Sequence, residues 1–142
     1  MNIFFDTSSL FKLYHKETGT HELMEFFRNN KIDSVFLAEI TKIEFSSVVW
    51  KKCRKREIDE RVAKILIEKF EKDSQTFSFV NESDQLRNFA KELIGKNWEK
   101  GLRTLDSIQL ASALTIKPRI ELFFTSDVVL SEIAVLEGLR IQ

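Results

Sequence analysis

The sequence is poor in cysteine, proline and glycine. Of its 142 residues, one is cysteine, one is proline and four are glycine. The single thiol, Cys53, excludes an intramolecular disulfide and fits a reducing compartment. So little proline and glycine leaves few breaks in regular structure and no linker, and the length fits one domain over residues 1–142.

Long apolar segments are also missing. No uninterrupted apolar run approaches the roughly 20 residues that a bilayer-spanning helix needs. The first six residues contain no basic side chain and end in Asp6, which is unlike a secretion signal. We therefore expect a soluble, cytoplasmic protein without a membrane partner.

An excess of positive charge is the third absence. The 22 lysines and arginines are matched by 22 aspartates and glutamates, so the formal net charge is zero. This argues against a protein that binds nucleic acid through bulk positive charge. It does not exclude a nuclease, because local positive charge around a local acidic site cancels in the total.

Short apolar runs alternate with segments of helical pattern along the whole chain. The predicted strands are residues 3–5, 34–37, 77–80, 121–125 and 139–141. The predicted helices are residues 7–14, 21–29, 41–54, 59–72, 83–93, 104–116 and 128–137, with a loop between Gly95 and Gly101. This alternation is typical of an α/β fold in which helices cover both faces of a parallel sheet.

Two aspartates directly follow predicted strands. Asp6 ends the first strand and Asp127 follows the fourth, and ligands of open parallel sheets bind at the carboxyl ends of strands. Each aspartate is equally well explained as the N-cap of the next helix. Near Asp6, however, Thr7, Ser8 and Ser9 can also cap, so the cap alone does not require an aspartate there.

Glu44 and Asp106 lie in less ordinary surroundings than most acids. On its helix, Glu44 has Ile40 and Val48 four residues away and no cation at the i±3 or i±4 positions, although an exposed helical glutamate remains an alternative. Asp106 falls in the first turn of a largely apolar helix that begins near Thr104. Its interaction with the helix dipole is worth roughly 0.3–1 kcal/mol and is also a structural explanation.

If the four acids converge, they need a positive partner. Two like charges about 5 Å apart repel by roughly 3 kcal/mol at an effective dielectric of 20. Protonation or a divalent cation relieves this, and all-oxygen ligands favour Mg²⁺ or Mn²⁺. Such a site suits phosphodiester hydrolysis. His15 and His21 lack metal-binding spacing and are interpreted as surface or packing residues.

Four segments together resemble the motifs of PIN-domain ribonucleases, especially VapC-like toxins. They are residues 6–14 (DTSSLFKLY), 40–47 (ITKIEFSS), 102–113 (LRTLDSIQLASA) and 123–127 (FFTSD). The resemblance implies a PIN-like three-layer α/β/α fold whose central parallel sheet has four to five strands. It also implies an endoribonuclease that uses Mg²⁺ or Mn²⁺ and leaves 5′-phosphate and 3′-hydroxyl ends, and it suggests a homodimer inhibited by a cognate antitoxin.

The resemblance also assigns roles to individual residues. Asp6 and Asp106 become the principal metal ligands, and Glu44 and Asp127 complete the catalytic acidic cluster. Ser8 and Thr125 become hydroxyl supports for the substrate or the carboxylates. The chain departs from the family where Val128 and Val129 follow Asp127, since relatives often carry polar or basic residues there.

Basic and aromatic residues near the acids are candidate RNA contacts. They are Lys51, Trp98, Lys100 and Arg103. For Lys51 the alternative is a solvated helix end, and for Trp98 it is cover for the edge of the core. Two other functions stay open: a DNA-directed or housekeeping nuclease without an antitoxin, and a catalytically silent PIN scaffold used for protein binding.

Overall fold

Strands and helices alternate from one end of the chain to the other. The structure, a computed structural model, describes residues 1–142. The strands are β1 (Asn2–Phe5), β2 (Ser34–Ala38), β3 (Ser78–Val80) and β4 (Leu122–Phe124). The helices are α1 (Thr7–Phe11), α2 (Thr20–Asn29), α3 (Thr41–Arg54), α4 (Glu60–Asp73), α5 (Asp84–Lys96), α6 (Thr104–Thr115) and α7 (Val128–Leu136). None of these helices is both long and apolar enough to cross a membrane.

The four strands form one parallel sheet in the order β3-β2-β1-β4. Phe5 of β1 lies opposite Leu37 of β2 on one side and Phe124 of β4 on the other. The chain moves outward from β1 to β2 and β3 and then returns to the opposite side of β1. The order therefore reverses between β1 and β4, and ligands of open α/β sheets bind outside the carboxyl ends of strands at such a point.

Alternating side chains along the strands build two separate cores. Ile3 and Phe5 point into a core shared with α1, α2, α3 and α4. Phe4 points to the other face, into a core shared with α5, α6 and α7. Aromatic rings fill much of the first core, where Phe45 and Phe70 stack with centroids 4.1 Å apart. The three-layer α/β/α arrangement with a parallel sheet is thus confirmed.

Three details differ from the sequence-based expectation. The predicted last strand is reduced to a single parallel bridge between Phe123 and Ile141. The first helix ends at Phe11 rather than at residue 14. The loop predicted to begin at Gly95 is wrong, because α5 continues through Lys96. A helical glycine costs only about 1 kcal/mol, and the helix is closed two residues later by Asn97, whose amide donates to the Leu93 carbonyl at 2.8 Å.

Candidate functional site

Asp6 is buried at the carboxyl end of β1 and has no cationic partner. Its Oδ1 accepts a hydrogen bond of 2.7 Å from the Ser9 backbone N–H, so it does cap α1. Burial raises the pKa of Asp6; hydrogen bonds from Thr125 and Ser9 oppose this, and the charge of Asp106 adds to it. The cap uses only one carboxylate oxygen, and no cation neutralises the charge.

Glu44 lies half-buried in the first turn of α3 and is held by neutral donors. Its Oε1 accepts from Gln109 Nε2 at 2.7 Å and from the Thr7 hydroxyl at 3.2 Å. Burial is the main cause that raises the pKa of Glu44, and the charges of Asp106 and Asp6 raise it further. As the sequence indicates, no cation pairs with Glu44. The charges of Asp6, Glu44 and Asp106 act on one another.

Gln109 joins three elements beneath the acids, and sequence reasoning missed it. It is only 2% exposed on α6, and its Nε2 also lies 3.1 Å from the Thr7 hydroxyl and 3.2 Å from the Thr41 hydroxyl. Its Oε1 is buried without a hydrogen-bond partner. The available signal was an amide inside an otherwise apolar stretch of a helix that already carries Asp106. Gln109 fixes the carboxylate of Glu44 against α1 and α6.

Arg103 connects the two remaining acids. Its Nε donates to Asp106 Oδ2 at 2.8 Å, and its Nη2 donates to Asp127 Oδ2 at 3.1 Å. The hydrogen bond to Asp106 raises the pKa of Arg103, and the charges of both aspartates add to the effect. Asp127 also caps α7, because its Oδ1 accepts from the Leu130 N–H at 2.8 Å. The side chain of Arg103 is 73% exposed, so it pairs with Asp106 and Asp127 while remaining open to solvent.

No group of three or more His, Cys, Asp or Glu side chains is placed to hold a metal ion in this structure. Asp6, Glu44 and Asp106 lie close enough for their charges to repel one another, whereas Asp127 is linked to Asp106 through Arg103. The residues nevertheless fit a hard divalent cation. All donors are oxygens, and no cation pairs with Asp6 or Glu44. The metal site therefore stays a prediction.

The predicted hydroxyl supports lie in different places. Thr125 is buried and hydrogen-bonds to Asp6. Ser8 is exposed and lines a separate cavity of about 230 Å³ together with Lys51 and Lys52. The other hydroxyls that contact the acids belong to Thr7 and Ser9 rather than to Ser8.

The predicted RNA contacts lie on different elements of the fold. Lys51 is exposed on the last turns of α3. Trp98 is 72% exposed in the 3-10 turn Trp98–Lys100. Lys100 lies 3.8 Å from Glu132 of α7. Only Arg103 reaches the acids themselves, and it binds them directly.

Asp6→Asn should stabilise the protein in the presence of a metal chelator at neutral pH. The folded pKa of Asp6 is raised above its ordinary value of 3.8, so the unfolded chain ionises first as the pH rises. The stability that Asp6 contributes below its ordinary pKa is therefore lost as the pH rises through its folded pKa. Asparagine carries no charge and keeps the capping oxygen. We expect a melting temperature about 4 °C higher at pH 7, which corresponds to roughly 1 kcal/mol at this chain length.

The matched control is Asp59→Asn. Asp59 caps α4 in the same way, accepting from the Val62 N–H at 2.8 Å, but it is exposed. Its substitution should not raise the melting temperature at pH 7. The Asp6→Asn difference should also disappear as the pH falls below the ordinary pKa of 3.8, because the Asp6 carboxyl is then protonated in both the folded and the unfolded chain. An Asp6→Asn melting temperature at or below wild type at pH 7 contradicts the prediction.

Comparison with solved structures shows the same fold in other proteins. The chain superposes on VapC20 from Mycobacterium tuberculosis, a Sarcin-Ricin loop cleaving toxin, with TM-score 0.68 and 18% identity over 92% of this chain and 93% of that one. VapBC2 from Rickettsia felis, solved with a promoter DNA fragment, gives 0.66 and 15% over 100% and 98%. FitAcB from Neisseria gonorrhoeae gives 0.67 and 14% over 98% and 95%. At these identities the likeness concerns the fold alone.

The sequence itself carries the family signature. Among curated proteins, none is similar enough in sequence to match. The family model of the PIN domain, however, matches residues 3–136. That range runs from β1 to the end of α7 and contains all four acids. The chain therefore belongs to the PIN domain family.

Proposed function

We propose that this protein is a Mg²⁺- or Mn²⁺-dependent endoribonuclease that hydrolyses RNA phosphodiester bonds at the cluster of four acids, Asp6, Glu44, Asp106 and Asp127. The observation that carries the proposal is the group of three mutually repelling acids, Asp6, Glu44 and Asp106, at the carboxyl end of β1. Two of them are enclosed without a cation, inside a PIN domain. The fold likeness to a toxin that cleaves the Sarcin-Ricin loop favours RNA over DNA.

The chain's own residues supply positioning and charge. Asp6 and Asp106 would be the principal ligands of the ion, with Glu44 and Asp127 completing the acidic set. When bound, a divalent ion lowers the pKa of a water molecule and neutralises charge on the phosphate. The N–H of Ser9 fixes one oxygen of Asp6. Neutral donors hold Glu44 as a carboxylate acceptor, without a cation that would compete for it.

Arg103 has a second use at this site. Its guanidinium is held by two carboxylates and is mostly exposed, and guanidinium groups also bind phosphate in a bidentate manner. With a cation bound at Asp106, the guanidinium of Arg103 would be available to bind an RNA phosphate. Lys51 and Lys100 would contact the backbone, and the exposed indole of Trp98 suits stacking on an unpaired base. Ser8 would act beside Lys51, in the cavity that both residues line.

The biological role follows the same reasoning. We infer a cytoplasmic toxin that acts as a homodimer and is inhibited by a cognate antitoxin. The fold likeness to VapBC2, FitAcB and the toxin VapC20 supports this role. Expression should arrest growth, and Asp6→Asn should abolish the arrest. Arrest by both forms would show that the arrest does not depend on Asp6 and would contradict this role. Arrest by neither form at matched expression levels argues for a nuclease without an antitoxin.

The test of the biochemical proposal is cleavage of total RNA by the purified protein. We expect discrete cuts in Mg²⁺ or Mn²⁺ and none in a chelator. The products should carry 5′-phosphate and 3′-hydroxyl ends, which sequencing by adapter ligation detects selectively. Cleavage of single-stranded DNA alone would transfer the assignment to a DNA nuclease. No cleavage, together with no metal-induced rise in melting temperature, would indicate a silent scaffold.

A further inference from the structure

A cavity lies beside Asp6, next to the cluster of the four acids. Its volume is about 190 Å³, and it lies at the carboxyl end of β4 between α1 and the start of α2. Its polar lining includes Ser9, Lys12, Glu22, Thr125 and Ser126. A water molecule takes about 30 Å³ of liquid volume, so the cavity has room for a phosphate group and several waters.

Lys12 is the only cation that lines this cavity, and its ammonium has no carboxylate partner. Its Nζ donates to the Ser126 hydroxyl, and the side chain is half-buried. Glu22 also lines the cavity but forms no ion pair with Lys12. Lys52, by contrast, is held by Glu17 and Glu57. The ammonium of Lys12 can therefore pair with an anion that enters the cavity through charge-assisted hydrogen bonds.

The loop before α2 holds Lys12 in place. Gly19 has φ +92°, a left-handed conformation that favours glycine, and a Cβ at this position would lie 3.0 Å from Lys12 Nζ. The backbone therefore passes close over the ammonium. Ser126 accepts the hydrogen bond from Lys12 and so keeps its own hydroxyl proton, which remains available to an oxygen of a bound anion.

Two of the lining residues connect this cavity to the cluster of the four acids. Ser9 and Thr125 line the cavity, and both hydrogen-bond to Asp6. An anion beside Lys12 would thus lie one side chain away from the carboxylate that we assign to the ion. A polyanion whose one phosphate is at the acids can place a neighbouring phosphate here.

We propose that the Lys12 cavity is a binding subsite for an RNA phosphate adjacent to the scissile one. The subsite rests on the proposed endoribonuclease function and adds a contact to it. Lys12 provides the positive charge and Ser126 a hydroxyl donor. The cavity fixes the distance between the bound phosphate and the scissile bond. It therefore selects which phosphodiester bond of a bound strand lies at the four acids.

The test uses binding of a short single-stranded RNA to the Asp106→Asn protein, with and without Lys12→Met. We expect Lys12→Met to weaken binding roughly tenfold, as for loss of one charge-assisted hydrogen bond. The slope of log affinity against log salt should fall in magnitude by about 0.7, the value for one phosphate contact in a single strand. Lys12→Arg should retain most of the affinity. The matched control is Lys16→Met, an exposed lysine outside this cavity.

A scan of single neutral methylphosphonate linkages identifies the phosphate. One linkage next to the scissile bond should weaken binding when Lys12 is present and have no effect in Lys12→Met. If the wild type cleaves RNA but Lys12→Met and Lys16→Met bind alike, the subsite is wrong and the nuclease assignment stands. If no protein binds or cleaves RNA, both proposals are wrong. A melting curve of Lys12→Met confirms that the fold is retained.

Discussion

Asp106→Asn is expected to lower the rate of the proposed RNA cleavage at least about a thousandfold, equivalent to roughly 4 kcal/mol of transition-state stabilisation. Asp106 is the acid with the most connections in the site. Its charge acts on both Asp6 and Glu44, and Arg103 joins it to Asp127. Asparagine keeps the size of the side chain and an oxygen for Arg103, but it removes the charge that an ion requires.

The chain provides a close control for this substitution. Asp84 lies in the first turn of α5 and pairs with Arg87 at 2.8 Å, much as Asp106 pairs with Arg103 in the first turn of α6. Asp84→Asn should leave cleavage unchanged. Both variants should melt within a few degrees of the wild type in a chelator. The expected signature is therefore loss of activity and loss of Mg²⁺-induced stabilisation in Asp106→Asn alone.

An Asp106→Asn protein with full activity would overturn the assignment of the cluster of four acids. Residual activity has to be compared with a preparation that carries both Asp6→Asn and Asp106→Asn, because a contaminating nuclease survives both substitutions. Activity present in the single variant and absent in the double variant would instead make Asp6 the dominant ligand. Cleavage ends mapped side by side distinguish these results.

The strand-end acids illustrate what the sequence can predict. An apolar run that ends in a capping residue is a local pattern, and it located both Asp6 and Asp127 at the carboxyl ends of adjacent strands. The structural explanation of these residues is confirmed, and the functional one stays a prediction. Each aspartate caps a helix with one oxygen. For Glu44, the lack of a cation three or four residues away on its helix is also a local property of the sequence. In the structure, no cation is among the causes that shift its pKa.

Contacts between distant segments are what the sequence could not supply. Arg103 and Asp106 are three residues apart on one helix, a spacing that can be read directly. The second partner of Arg103, Asp127, lies 24 residues further on and meets it only because α6 and α7 begin at the same edge of the sheet. Gln109 meets Thr7 across 102 residues. No periodicity encodes such pairs, since tertiary packing alone brings them together.

Weak local signals explain the errors in the fold. Gly95 suggested a loop, but packing of Leu93 on the core outweighs the small helical cost of one exposed glycine. The strand predicted at residues 139–141 was also too long, since only Ile141 forms a bridge with the neighbouring strand. Both errors lie away from the acids. The sheet order that defines the site is therefore unaffected.

Gln109→Leu is expected to lower cleavage by roughly 10- to 100-fold, the usual effect of removing a residue that orients a metal ligand. Leucine has a similar volume, so packing on α6 should be retained. The substitution removes the donor that holds Glu44 Oε1 at 2.7 Å and leaves only the Thr7 hydroxyl. A loosely held Glu44 contributes less to ion binding. The Mg²⁺ concentration for half-maximal activity should therefore rise, and excess Mg²⁺ should restore part of the rate.

Ser112→Ala separates this positioning role from a general effect on α6. Ser112 is 1% exposed on the same helix, and its hydroxyl bonds only to the Ile108 carbonyl, at 2.7 Å. Its loss should leave both the rate and the Mg²⁺ requirement unchanged. If Gln109→Leu reduces activity through misfolding, its melting temperature falls and excess Mg²⁺ does not rescue the rate. An unchanged Mg²⁺ requirement in a stable Gln109→Leu protein would show that Glu44 needs no help from α6, because Thr7 alone then suffices to orient it.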